Sequence, residues 1–410
     1  MNSALVWKLA FRYMRGKRSA NAVPILSRIS MVAIAVSSAA MIIIFSVFNG
    51  LESVVKDTYK AFYPDLKISA VRGKFFAIDS AFLHEVRRLT GVTDLTTVIE
   101  DQVFAVNNNQ QNIITLKGIE SNYIKVNDLE QYLLTGSADT VSMGHPYTAI
   151  AGEHILNQLG TDINTLSYIV LNYANPEVTN PGADPLSAIL SLKLHPAGVF
   201  RVSDEFDSKY VLAPLPLVQA LFHQAGHCSA IEIKADQRYI ESIKEQLGKL
   251  AGNGYKVETR FEQNKTMYMV MGAEKWAVFA ILVLVLLIAT FNMVGALAML
   301  VLQKQKDIAI LKAMGAQPST IRSVFLLEGV LWSLTGGLAG IIIGCGVCLL
   351  QQKFGFIKLG GSFLVDAYPV KIQAADILLV ITTILTVGLL ISWYPALRST
   401  RAVDPSLKST

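Results

Sequence analysis

Charge is missing from long stretches of this sequence, and its absence is the first constraint. Residues 276–302 contain no Asp, Glu, Lys or Arg; residues 29–48 and 377–394 are likewise uncharged, and 324–350 hold only Glu328. An α-helix rising about 1.5 Å per residue needs roughly twenty apolar residues to cross the hydrocarbon of a bilayer. With 52% hydrophobic and only 16% charged residues over 410 positions, a soluble protein of two or three domains gives way to a chain with four membrane spans.

Other absences narrow the chemistry. There are three cysteines, and Cys345 and Cys348 both fall in the third apolar run, so Cys228 has no disulfide partner in its own region. A Cys-x-x-Cys inside an apolar helix reads as packing. The Gly-Lys pairs at Gly16, Gly73 and Gly248 are followed by Arg18, Phe75 and Leu250, so no phosphate-binding loop is present. Among six histidines, only His223 and His227 have ligand-like spacing, but no Glu accompanies them and Gly226 interrupts the helix they would need. The acidic pairs Glu100-Asp101 and Asp204-Glu205 read as solvated faces or turn formers, and no nucleophilic triad is legible. No catalytic residue, metal or cofactor is expected on this chain.

The charges that are present divide by region. Residues 1–28 carry six Lys/Arg and no acid, 303–323 carry four against Asp307, and the tail from Arg398 carries three against Asp404. Residues 51–275 hold 20 basic and 26 acidic residues. Positive charge flanking spans marks the cytoplasmic side, so both termini and 303–323 are expected inside and the large insert outside. The positive excess is thus a topology signal, and nucleic acid is not an expected partner.

The resulting organisation is a multi-pass α-helical membrane protein with four transmembrane helices and a large α+β extracytoplasmic domain between helices 1 and 2. The expected segments are an amphipathic cytoplasmic helix (1–25), span 1 (26–49), the outer domain (50–272), span 2 (273–302), a cytoplasmic joint (303–323), span 3 (324–350), an outer loop (351–376), span 4 (377–397) and a cytoplasmic tail (398–410). In the first segment Lys8, Arg12 and Arg15 share one face and Trp7, Phe11 and Met14 another. That pattern suits a helix in the headgroup layer bracing span 1. In the outer domain, 96–106 and 112–118 read as strands around a polar turn, and 230–259 as strand, helix, strand. The run 173–186 has three prolines, a glycine and two Asn-Pro steps, an extended arm for a partner or a long connection. A helical pattern from Glu262 leads into span 2. Gly336, Gly340 and Gly344 form a small-residue stripe on span 3, for packing within one subunit or between two. Asn292 should pair across helices, and Arg322 or Lys312 should neutralise Glu328.

The joint is the most specific feature. Ile308, Leu311 and Met314 recur at helical spacing, Asp307 lies near the positive end of a short helix, Gly315 suits a left-handed stop, and Pro318 suits the first turn of the next helix. An apolar stripe between two spans implies a docking partner.

Several motifs make the chain resemble a known family. They are Ala10-x-Arg12-Tyr13-x-Arg15, Phe48-Asn49-Gly50-Leu51-Glu52, Ala273-Glu274-Lys275, Ala289-Thr290-Phe291-Asn292, Lys306-Asp307-Ile308 through Gly315-Ala316, and Tyr394-Pro395-Ala396-Leu397-Arg398. Together they resemble the LolC/LolE lipoprotein-releasing permeases, within the type VII ABC permeases that also include FtsX-like mechanotransmission regulators and MacB-like efflux permeases. The resemblance implies two permease subunits, as homodimer or heterodimer, with separate ATPase subunits that bind ATP and Mg. It implies lipoprotein transport from the inner membrane to a periplasmic carrier. Lys306, Asp307, Ile308, Leu311, Lys312, Met314 and Gly315 would then couple to the ATPase. Met41, Ile44, Phe45 and Phe48 on span 1, with Trp276, Phe279 and Val283 on span 2, would line a cleft for acyl chains and membrane lipids. Residues 173–193 would form a carrier-binding hook.

Overall fold

The computed structural model describes residues 3–14, 23–107, 110–136, 147–163, 168–178, 188–358 and 367–401. The chain divides into two units, one of residues 1–53, 270–358 and 367–410, the other of 54–269 with 359–366.

Among the described residues, four helices are long and apolar enough to cross a membrane. They are span 1 (Val23–Lys60), span 2 (Lys265–Gln303), span 3 (Pro318–Phe354) and span 4 (Ala374–Arg401). A short elbow helix, Gln305–Ala313, joins spans 2 and 3. Span 3 packs closely on two neighbours because its glycines remove side chains where backbones meet. A Cβ on Gly340 would lie 2.0 Å from Ser38 Oγ and 2.1 Å from the carbonyl oxygen of Ala35. Gly336 and Gly344 face Met31 and Ala39 in the same way, so the stripe is a seam with span 1 inside one chain. The Ser38 hydroxyl donates across that seam to the Gly337 carbonyl at 3.1 Å. Towards span 4, Gly337 meets Ile384, and Gly388 meets Ser333. Met41, Phe45, Leu286, Met293 and Phe325 complete the core between spans 1, 2 and 3.

Three details differ from the sequence reading. The N-terminal helix, Ser3–Met14, buries Ala10 against Val324 and Leu331 of span 3, a neighbour the sequence did not name. Asn292 is exposed on span 2 and makes no hydrogen bond among the described residues, because the helix turns Met293 and Ala296 inward instead. Glu328 is fully buried, and among the described residues neither carboxylate oxygen has a hydrogen-bond partner. Arg322 lies instead over the Trp393 ring, 4.0 Å from its centroid, where cation–π attraction holds it.

The other unit is a mixed α+β domain. Its strands are β1 (Leu66–Ala70), β2 (Phe76–Ala77), β3 (Val92–Asn107), β4 (Gln110–Ile119), β5 (Leu133–Thr135), β6 (Thr148–Gly152), β7 (Ile169–Ala174), β8 (Ile189–Phe200), β9 (Tyr210–Pro214), β10 (His227–Cys228), β11 (Ala230–Ala235) and β12 (Tyr255–Thr259). The main sheet runs β12-β1-β11-β3-β4-β9-β6-β8-β5, with β7 between β3 and β8, and β2 pairs with β10 apart from it. β4 with β9 and β6 with β8 are parallel; the other pairs are antiparallel. The β3–β4 hairpin is tighter than the polar run 107–112 suggested, since Asn107 pairs with Gln110. Thr259 and Glu262 form a capping box on a one-turn helix, Arg260–Gln263. The chain then breaks at Asn264, so span 2 starts afresh at Lys265 instead of continuing a helix from Glu262. β7 and β8 pair as far as Ala174 and Ile189. Most of the proline-rich arm between them, 179–187, lies outside the described residues.

Charge is also buried in this unit. Lys117 lies 2.6 Å from Glu232 and 3.5 Å from Glu100, and Lys67 lies 3.3 Å from Glu100. Burial pushes the Glu100 carboxyl up, but Lys117 and Lys67 outweigh it and hold the group down to about 2. His223, at φ 54, approaches Glu177 at 3.1 Å, whereas His227 lies on β10, so the two do not share a helical face.

Candidate functional site

The elbow is built by local sequence signals. Lys304 breaks the helix of span 2, and it pairs with Asp307 at 3.1 Å. At the far end the Gly315 N–H bonds to the Lys312 carbonyl and the Ala316 N–H to the Leu311 carbonyl, both at 2.9 Å. With Gly315 at φ 85 this is a Schellman stop, a conformation that costs an L side chain and suits glycine. Pro318 then occupies the first turn of span 3, where its missing N–H has no partner to lose.

The elbow's faces are unequal. Ile308 is buried in the core of the spans and Leu311 is half-buried. Ile310 and Met314 are 59% and 79% exposed. The stripe Ile308, Leu311, Met314 is therefore divided: its first member anchors the elbow to the bundle, and its last joins Ile310 on the free face. Lys306 is on the exposed side, and Asp307 and Lys312 are half-buried.

Of the expected cleft residues, Met41 and Phe45 are buried, while Ile44, Phe48, Phe279 and Val283 are half-buried. The structure brings Phe45 and Phe279 together, with ring centroids 5.9 Å apart, and sets Trp276 edge-on to Phe279 at 5.6 Å. Trp276 itself is 64% exposed. Spans 1 and 2 thus meet along an apolar seam.

Above that seam lies a polar group that reading for apolar stripes passes over. Lys275 on span 2 donates to the Asn49 amide oxygen of span 1 at 2.9 Å and lies 3.1 Å from Asp376 on span 4. The Asn49 amide nitrogen donates to Asp376 at 2.5 Å. Asn49 and Lys275 stand in the motifs Phe48-Asn49-Gly50 and Ala273-Glu274-Lys275, and their signal was a polar side chain just outside an apolar run; Asp376 had no signal beyond its place at the start of span 4.

Known proteins are similar to this chain over its C-terminal spans and over nearly its full length. Residues 279–403 match the family described as FtsX-like permease, C-terminal. The chain is similar to the lipoprotein-releasing system transmembrane protein LolC of Xylella fastidiosa (strain Temecula1 / ATCC 700964), 23% identical over 96% of each chain. It is equally similar to the transmembrane protein LolE of Haemophilus influenzae, 23% identical over 96% of each. Among solved structures, the periplasmic region of MacB from Actinobacillus actinomycetemcomitans aligns with 13% identity and a TM-score of 0.35, covering 53% of this chain and 98% of that one. The chain is a membrane permease of the ABC transporter class, with FtsX-like spans. Within that class it is similar over nearly its whole length to LolC and LolE.

Proposed function

We propose that this chain is the permease subunit that extracts lipoproteins from the inner membrane and passes them to a periplasmic carrier. The observation that carries this reading is the end-to-end match, periplasmic domain included, to proteins named for lipoprotein release. The shared C-terminal spans alone would fit any FtsX-like permease.

In this reading the termini and the elbow are cytoplasmic, as their basic residues suggest. A separate ATPase, holding ATP and Mg, grips Ile310 and Met314, the exposed apolar residues of the elbow. Because Ile308 is keyed into the core, a push on the elbow is passed to spans 2 and 3. A second permease subunit completes the transporter. Acyl chains enter where spans 1 and 2 meet, at the Phe45–Phe279 seam. Each methylene withdrawn from lipid costs about 0.8 kcal/mol, so extraction requires work from the ATPase. The arm between β7 and β8 contacts the carrier.

The test is a reconstitution of the full chain with its ATPase in proteoliposomes loaded with a triacylated lipoprotein. Release to a soluble carrier should require both ATP and this chain. Lipoprotein that stays in the bilayer while ATP is consumed and an unrelated periplasmic hydrolase is activated would overturn the reading.

A further inference from the structure

Three helices far apart in sequence place one polar side chain each at a single point: Asn49 on span 1, Lys275 on span 2 and Asp376 in the first turn of span 4. Asn49 and Asp376 are buried, at 2% and 7% exposure, and Lys275 also lies over the Phe45 ring, 5.7 Å from its centroid. Each group has a complementary role in the contact. The ammonium donates to both neighbours, the carboxylate accepts from both, and the amide does one of each. The backbone around them is equally tight. The Lys371 N–H donates to the Ser46 carbonyl at 2.8 Å, and a Cβ on Gly50 would lie 2.1 Å from the Pro369 carbonyl oxygen.

We propose that Asn49, Lys275 and Asp376 form a latch that holds the outer ends of spans 1, 2 and 4 closed, and that it opens in each transport cycle. The latch sits directly over the Phe45–Phe279 seam, so spans 1 and 2 do not part there without breaking the Lys275 contacts. A charge pair suits a reversible closure better than apolar packing would. Each open partner regains hydration at the outer mouth, and closure recovers the three contacts in one geometry. The latch rests on the reading that acyl chains enter between spans 1 and 2.

The experiment uses the reconstituted complex with Met41→Cys as reporter, in a background with Cys228→Ala, Cys345→Ala and Cys348→Ala. Met41 is fully buried in the core beneath the latch. Labelling by a water-soluble methanethiosulfonate is measured without nucleotide and without lipoprotein. Asp376→Asn and Lys275→Met should each speed labelling roughly tenfold, the scale of a coupled buried pair. The exchange Lys275→Asp with Asp376→Lys should restore slow labelling, because the Asn49 amide turns over to serve the swapped charges. An exchange variant that labels as fast as the single variants overturns the latch, since general loosening of the bundle would not be repaired by it. Unchanged labelling in the single variants overturns it too. Slowed labelling restored by the exchange supports the latch even where lipoprotein release fails, so the latch and the substrate reading fail separately.

Discussion

Lys117 Nζ lies 2.6 Å from Glu232 Oε1 at the centre of the main sheet, with side chains 3% and 1% exposed. The second Glu232 oxygen accepts from the Asn127 amide at 2.7 Å, and the Tyr123 ring faces the ammonium at 5.0 Å. Removing one partner strands the other charge, which is far more costly than removing both. Lys117→Met should destabilise the protein by about 3–5 kcal/mol, and Lys117→Met with Glu232→Leu should recover part of that loss, since Glu100 then keeps only Lys67. Urea unfolding of the full chain in detergent, followed by tryptophan fluorescence, measures both.

Asp207 gives the α+β domain a pH dependence of the opposite sense from Glu100. Burial raises its carboxyl to about 6, against the lowering effect of the Val202 N–H, which it accepts at 2.8 Å. A group raised above its unfolded value of 3.8 contributes stability that is present below that value and lost as pH rises through about 6. The loss is on the order of 2–3 kcal/mol. Stability profiles of wild type and Asp207→Asn between these pH values should converge at the acid end, with the variant flatter above it.

The two faces of the elbow should respond differently to the same substitution. Ile310→Asp and Met314→Asp alter exposed positions, so the complex should fold while lipoprotein release falls and ATP hydrolysis no longer follows it. Ile308→Asp places a charge in the span core and should lower stability by at least about 3 kcal/mol. Size-exclusion of the complex, ATPase assay and release assay on the three variants separate docking from folding.

Glycines on span 3 should divide by what faces them. A methyl at Gly340 meets a serine hydroxyl that can rotate, but also the Ala35 backbone oxygen, which moves only with span 1. Gly340→Ala should cost about 1–3 kcal/mol. Among the described residues nothing lies within 4 Å of a Cβ added at Gly346, and Gly346→Ala should change stability by no more than about 1 kcal/mol. Thermal unfolding in detergent compares the two.

Much of this protein was settled by composition and local chemistry. The apolar runs require membrane helices because hydrocarbon tolerates little else. Gly315 and Pro318 set the elbow's ends, since a left-handed stop and a missing N–H are properties of single residues. Helical spacing in the elbow revealed an apolar stripe, but periodicity has no knowledge of what lies beside the helix. Only packing decided that Ile308 faces inward and that Ile310 and Met314 face out. The glycine stripe likewise named no partner until Ala35 and Ser38 were seen against it. The convergence of Asn49 with Lys275, 226 positions away, and with Asp376, 327 away, was invisible to any local signal. Contacts of that kind belong to the arrangement of helices, which the chain encodes collectively through the packing of its spans.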